Sequence, residues 1–126
     1  RVPYNRNIKY TGGYTRPLIT IEKLIVWISK VSQNAEYVLS VCNGVNVLAK
    51  TGLLDGKTAT SHYGAIENLI KNYPKINIVT GVRVVDNGKI ITTEGVPAGF
   101  DGSLYLLSRM FNMEVANNVA KLMMYN

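Results

Sequence analysis

The spacing of hydrophobic positions along this chain changes several times, and each change marks an element. Residues 1 to 17 carry no period: three tyrosines, two prolines, Gly12-Gly13 and scattered Arg, Lys and Asn read as loop, with at most a short strand around Ile8 to Thr11. From Thr20 the spacing becomes helical, because Ile21, Leu24, Ile25, Ile28 and Val31 recur at three- and four-residue steps. Thr20 is the expected N-cap, and Glu22 suits the positive end of the helix dipole. Tyr37 to Val41 is a short, nearly continuous apolar run, the pattern of a strand buried on both faces of a parallel sheet. A helix from about Gly44 to Lys50 follows at once, closed by Gly52.

Helix, buried strand, tight turn and helix is the rhythm of an α/β sandwich. Further on, Tyr63 to Asn72 reads as a helix stopped before Pro74, and Ile76 to Thr80 as a strand. Val82 to Val85 and Lys89 to Thr93 flank Asp86-Asn87-Gly88, a strong hairpin signal. Two helices finish the chain: about Gly102 to Phe111, with Asp101 as its expected cap, and about Glu114 to Tyr125, with Val115, Val119 and Leu122 on one side.

Composition narrows the classes. A chain of 126 residues with 47% hydrophobic and 17% charged residues fits one globular domain, residues 1–126, and neither a disordered chain nor a coiled coil. No apolar run reaches the length of a membrane span, and no secretory pattern opens the sequence. The formal charge of +6 comes from 14 basic and 8 acidic residues, but the basic ones are scattered, which points to a solvated surface rather than a nucleic-acid groove. One cysteine, Cys42, excludes an internal disulfide and fits a reducing, cytoplasmic setting. One Cys and one His make no tetrahedral zinc set, and nothing in the sequence calls for a metal or a cofactor.

Candidate chemistry centres on Ser40-Val41-Cys42-Asn43-Gly44, where a buried strand hands over to a helix. A nucleophile on such a turn sits on strained backbone with its side chain pushed out at the top of the sheet, and Gly44 supplies the small residue needed two positions later. The next helix aims its N-terminus at the sulfur, which favours thiolate, and the amide of Asn43 is placed to bind an oxyanion. A buried structural cysteine at a strand end fits the same pattern equally well. The only histidine, His62, follows Thr58-Ala59-Thr60, readable as a short strand returning to the same sheet edge. Two roles are open to it: partner of Cys42, or N-cap of the helix beginning at Tyr63.

The run Tyr37 to Gly44, Gly52-Leu53-Leu54-Asp55-Gly56 and Ala59-Thr60-Ser61-His62 together resemble the ThiJ/PfpI superfamily, whose fold is like that of class I glutamine amidotransferases. The branch with isocyanide hydratases and the amidase-like domains of AraC-type regulators is most similar. Asp86 to Thr93 and Gly95 to Asp101 extend the match, which covers about residues 12 to 125. The resemblance implies a flavodoxin-like three-layer sandwich with a mostly parallel sheet. It implies that Cys42 is the nucleophile, that His62 lies near the sulfur, and that the amides of Gly13 (in the pair Gly12-Gly13) and Asn43 form an oxyanion hole. Asn43 cannot take a proton at neutral pH, so an arrangement in which the neighbour of the cysteine is the base is not expected. Asp101 falls on an acidic position opening the penultimate helix, where capping is favoured over catalysis. The family's first strand ends in an acid that bonds the cysteine, yet no Asp or Glu precedes Glu22, so the N-terminal strands of the domain are expected to be missing.

Three functions follow from this reading. The first is a thiol-dependent enzyme on a small carbonyl or carbon–nitrogen substrate: a hydratase, a glyoxalase or deglycase, or an amidase. The second is a ligand-sensing domain of an AraC-type regulator, and the third a thiol redox sensor. The resemblance also implies a homodimer, and Leu122, Met123 and Met124 offer either its surface or simple core. Nucleic acid enters only if a DNA-binding module accompanies the chain.

Overall fold

The computed structural model describes residues 15–126. Its elements in chain order are α1 (Thr15–Leu18), α2 (Glu22–Asn34), β1 (Val38–Val41), α3 (Gly44–Thr51), β2 (Thr58–Ala59), α4 (Tyr63–Asn72), β3 (Asn77–Ile78), β4 (Val84–Asp86), β5 (Ile90–Thr93), α5 (Val96–Met110) and α6 (Met113–Leu122). The architecture is mixed α/β. A three-stranded sheet runs β1-β5-β4, and β2 and β3 form a second, two-stranded sheet.

The sheets follow from β-branched runs interrupted by turns. Val38 lies opposite Ile90 and Val41 opposite Thr93 in the parallel β1/β5 ladder, while β4 pairs antiparallel with β5, Asp86 against Ile91. The hairpin expected at Asp86-Asn87-Gly88 forms. Gly88 has φ +85°, a region few side chains tolerate, and its N–H is held by Oδ1 of Asp86 at 2.6 Å. Every residue of β5 is buried, so the central strand of the sheet is the later hairpin arm rather than β1.

Strand alternation then sorts the layers. Val38 and Ile90 join Val45, Leu48, Ala49, Leu54, Ala59, Ala65, Leu69 and Ile76 in one core cluster, which lies where α3 and α4 cover the sheet. On the opposite face α5 packs on β1 and β5. Small residues permit that close approach: a Cβ on Gly99 would sit 2.9 Å from Cγ1 of Val41, and one on Gly102 would overlap Cγ2 of Thr93.

Several expectations change. The segment taken as loop up to residue 17 contains α1, and Thr20 caps nothing: its hydroxyl donates to the carbonyl of Pro17 at 2.6 Å, and Ile21 holds the N-cap position of α2. The strand expected over Ile76 to Thr80 shortens to Asn77–Ile78. The penultimate helix begins six residues earlier than Gly102, at Val96, because Pro97 fits a first turn that has no use for its missing N–H. Asp101 therefore lies inside α5 and is not its cap. Leu122, Met123 and Met124 are 84%, 49% and 86% exposed, so they are surface rather than core. Among the described residues no helix is long and apolar enough to cross a membrane.

Candidate active site at the Cys42 turn

Cys42 sits between the last residue of β1 and the first turn of α3 at φ +57°, in the left-handed region that L side chains avoid at about 1–2 kcal/mol. Two buried bonds hold it there. Its N–H donates to the carbonyl of Thr93 at 3.2 Å, prolonging the β1/β5 ladder by one residue. Its carbonyl accepts from Oγ of Ser61 at 2.9 Å. The strained turn expected from the sequence is present, with strain maintained from two sides.

The surroundings of the sulfur reverse two expectations. Rather than standing out at the top of the sheet, Cys42 is 4% exposed. Burial pushes its thiol up from the ordinary value, and the backbone N–H of Asn43, bonded to the sulfur, offsets that only in part. The helix N-terminus thus moderates a desolvated thiol without turning it into a resting thiolate. Asn43 holds the N-cap position of α3 but makes no capping bond with its side chain, and its Oδ1 is buried without a partner. Its part in the turn is played by the backbone amide. Gly44 opens α3 as expected.

His62 takes the capping role. Its Nδ1 accepts from the backbone N–H of Gly64 at 3.1 Å, at the N-cap of α4, and its ring lies 4.4 Å from that of Tyr63. With the Nδ1 lone pair engaged, the neutral ring carries its proton on Nε2 and offers a donor rather than a base. Among the described residues no hydrogen bond joins His62 to Cys42, though its neighbour Ser61 touches the cysteine directly. Thr58-Ala59 does not return to the β1 edge as a ladder strand: it pairs parallel with β3, Ala59 against Ile78. Side chains stitch it to the hairpin instead. Asn87 Oδ1 accepts from Thr58 N–H at 3.2 Å, and Thr92 Oγ1 accepts from Thr60 N–H at 3.0 Å.

Asp101 stands away from this turn. Its carboxylate accepts from the hydroxyl of Tyr125 at 2.6 Å and from Nε of Arg83 at 2.5 Å. The Tyr125 hydroxyl first, and Arg83 after it, hold the carboxyl below its usual value against an opposing effect of burial. Gly12 and Gly13 lie outside the described residues. Among the described residues no cluster of His, Cys, Asp or Glu can hold a metal, and no carboxylate hydrogen-bonds the Cys42 sulfur.

Comparison with known proteins adds what geometry alone does not. The family model for the DJ-1/PfpI family matches residues 11–109. The chain belongs to the DJ-1/PfpI family. Isonitrile hydratase of Pseudomonas putida is 35% identical over 108 residues, covering 86% of this chain and 46% of that protein. The HTH-type transcriptional regulator CdhR of Pseudomonas aeruginosa is 32% identical, covering 78% of this chain and 29% of the regulator. A THiJ/PfpI family protein of Pseudomonas syringae superposes with a TM-score of 0.81 at 28% identity, covering 90% of this chain and 46% of that one. The chain thus spans less than half the length of these DJ-1/PfpI relatives. An isonitrile hydratase and HTH-type regulators, the branch that the sequence resembles, are among the relatives found, as are the DJ-1 proteins of Drosophila melanogaster.

Two residues at this DJ-1/PfpI site escaped the sequence reading. Ser61 stood inside a quoted motif, yet nothing in one sequence reveals that its hydroxyl reaches a carbonyl 19 positions earlier. Thr93 acts through its backbone carbonyl, which carries no sequence signal at all.

Proposed function

We propose that the protein is a thiol-dependent enzyme of the DJ-1/PfpI type, with Cys42 as nucleophile toward a small carbonyl or carbon–nitrogen electrophile. One observation carries this reading: Cys42 is kept at positive φ between strand and helix, with the Asn43 amide on its sulfur. A structural cysteine needs no such backbone cost. The sulfur adds to the electrophilic carbon, and charge developing on the substrate meets the amide of Asn43, assisted by that of Gly13. Hydration of an isonitrile suits a buried thiol well. The S–H adds across the terminal carbon to give a thioimidate, water adds to that carbon, and loss of the thiol leaves a formamide. His62, with its proton on Nε2, acts as an orienting donor rather than as the base. No metal or cofactor takes part in this scheme.

Turnover of a simple alkyl isonitrile and of an α-oxoaldehyde by wild type and Cys42→Ala tests it. Loss of all turnover in the variant is expected, and unchanged activity there sinks the mechanism. A second reading, a ligand-sensing regulator domain, draws support from the HTH-type relatives and from the burial of Cys42. It predicts ligand binding without turnover, equal in wild type and Cys42→Ala. The redox-sensor reading is weakened by the same burial, which opposes the thiolate that oxidation requires. The exposed Leu122, Met123 and Met124 support a homodimer through the end of α6, which sedimentation of the wild type and of Leu122→Glu would test.

A further inference from the structure

We infer that Ser61 is the positioning residue of the Cys42 turn: by gripping the Cys42 carbonyl, its hydroxyl aims the Asn43 N–H at the sulfur. The inference rests on the reading of Cys42 as nucleophile and adds how the Asn43 anion donor is kept in place.

The carbonyl of Cys42 and the N–H of Asn43 are opposite edges of one planar peptide unit, so fixing the first fixes the direction of the second. Ser61 Oγ donates to that carbonyl at 2.9 Å, and the N–H on the other edge is the group bonded to the sulfur. A donor on the carbonyl also draws electron density through the amide and strengthens its N–H as a donor. The Asn43 amide is the group that would meet negative charge on sulfur or on substrate.

Ser61 is itself immobilised. It is 3% exposed, and the residues before it are pinned on two sides: Val79 N–H donates to the Ala59 carbonyl at 2.9 Å, and Thr60 N–H to Thr92 Oγ1 at 3.0 Å. Burial alone does not account for the pairing, since Ser40 Oγ and Thr60 Oγ1 are equally buried and have no partner. Ser61 instead reaches Cys42, among the described residues the single buried one held at positive φ.

Alkylation of Cys42 by iodoacetamide, followed across the neutral and alkaline pH range in the full-length protein, reads the donor directly. In Ser61→Ala the rate at neutral pH should fall about fivefold, with the thiol titration moved upward, while Ser61→Thr stays near wild type. A Ser61→Ala profile that superposes on wild type overturns the inference. So does a Ser61→Thr that folds and is as slow as Ser61→Ala. Should Ser61→Ala fail to fold, Ser61→Val keeps the volume of Thr without the hydroxyl, and an equal pH profile for Val and Thr again overturns it. Retained turnover in Cys42→Ala would remove the nucleophile reading and this inference together, whereas a reactive Cys42 indifferent to Ser61 removes only the latter.

Discussion

The Cys42 turn and the rim where the hairpin meets the C-terminal helices are built from opposite materials. At the turn, Cys42, Ser61, Thr92 and Thr93 are buried and neutral, and every bond among them uses a backbone group. At the rim, Arg83, Asp101 and Tyr125 form one ionic cluster, and Asp86, Arg109 and Tyr105 another, with the Arg109 guanidinium 5.3 Å above the Tyr37 ring. The side chains of Arg83 and Asp101 are 56% and 31% exposed. Buried neutral bonds are modest when made and costly when orphaned, whereas exposed ion pairs are screened and cheap to lose. Rigidity is therefore expected at the turn, and tolerance at the rim.

The largest effect should come from the contact that seats α5 on the sheet beside the turn. Gly102→Val has no room against Thr93 Cγ2 and Leu39 Cδ1, so α5 must lift from β5. A loss of roughly 3 kcal/mol, seen as a lower melting temperature and denaturant midpoint, is expected. A melt equal to wild type would show α5 to be loosely seated and would break the contrast at its base. Next comes Thr92→Val, which keeps the volume but leaves the Thr60 N–H buried without its acceptor. A loss of about 1–3 kcal/mol is expected. A neutral result would place the turn in the same tolerant class as the rim.

These two regions also differ in how far they could be read in advance. The turn was legible as a location: an apolar run ending in Cys-Asn-Gly leaves few options for the backbone, and the strain at Cys42 is present. Its chemistry was less so. Whether a thiol at the head of a helix is exposed or desolvated depends on what packs over it, and here burial outweighs the amide. For His62 both roles were local possibilities; the capping role prevails because Gly64 N–H lies two residues away and needs an acceptor. The rim was illegible. Asp101 reads as a cap only if the helix starts at about Gly102, whereas Pro97 lies in the first turn of a helix that starts at Val96, and the partners of Asp101 lie 18 and 24 positions away. The hairpin, fixed by three adjacent residues, was read correctly for the same reason in reverse.

Changing pH separates the two regions without mutation. Burial raises Asp86, but the Tyr105 hydroxyl, the Gly88 N–H and Arg109 together bring it below the usual value, and Asp101 is lowered as well. Groups depressed on folding lend stability above their unfolded value, near 3.9, and that stability is lost as pH falls through it toward the folded value. Tyr125 and Tyr105 are raised, in each case chiefly because the hydroxyl donates to a carboxylate, so their contribution is lost as pH climbs past about 10. Melting temperature should thus fall at both ends, and an Asp86→Asn, Asp101→Asn double variant should flatten both shoulders. Shoulders that persist in it would place the pH sensitivity outside these two clusters.

The smallest effect belongs to Arg83. Its side chain is more than half exposed, and Asp101 keeps its bond to Tyr125 when the arginine is gone. Arg83→Gln should shift the melting temperature by no more than replicate scatter in physiological salt and by slightly more at low ionic strength, where screening is weaker. Thiol alkylation in Arg83→Gln should match wild type, because among the described residues no hydrogen bond or ion pair joins the rim side chains to Ser61 or Cys42. A slowed thiol in this variant would mean that strain introduced at the rim crosses α5, through Gly99 against Val41, to the residue preceding the cysteine.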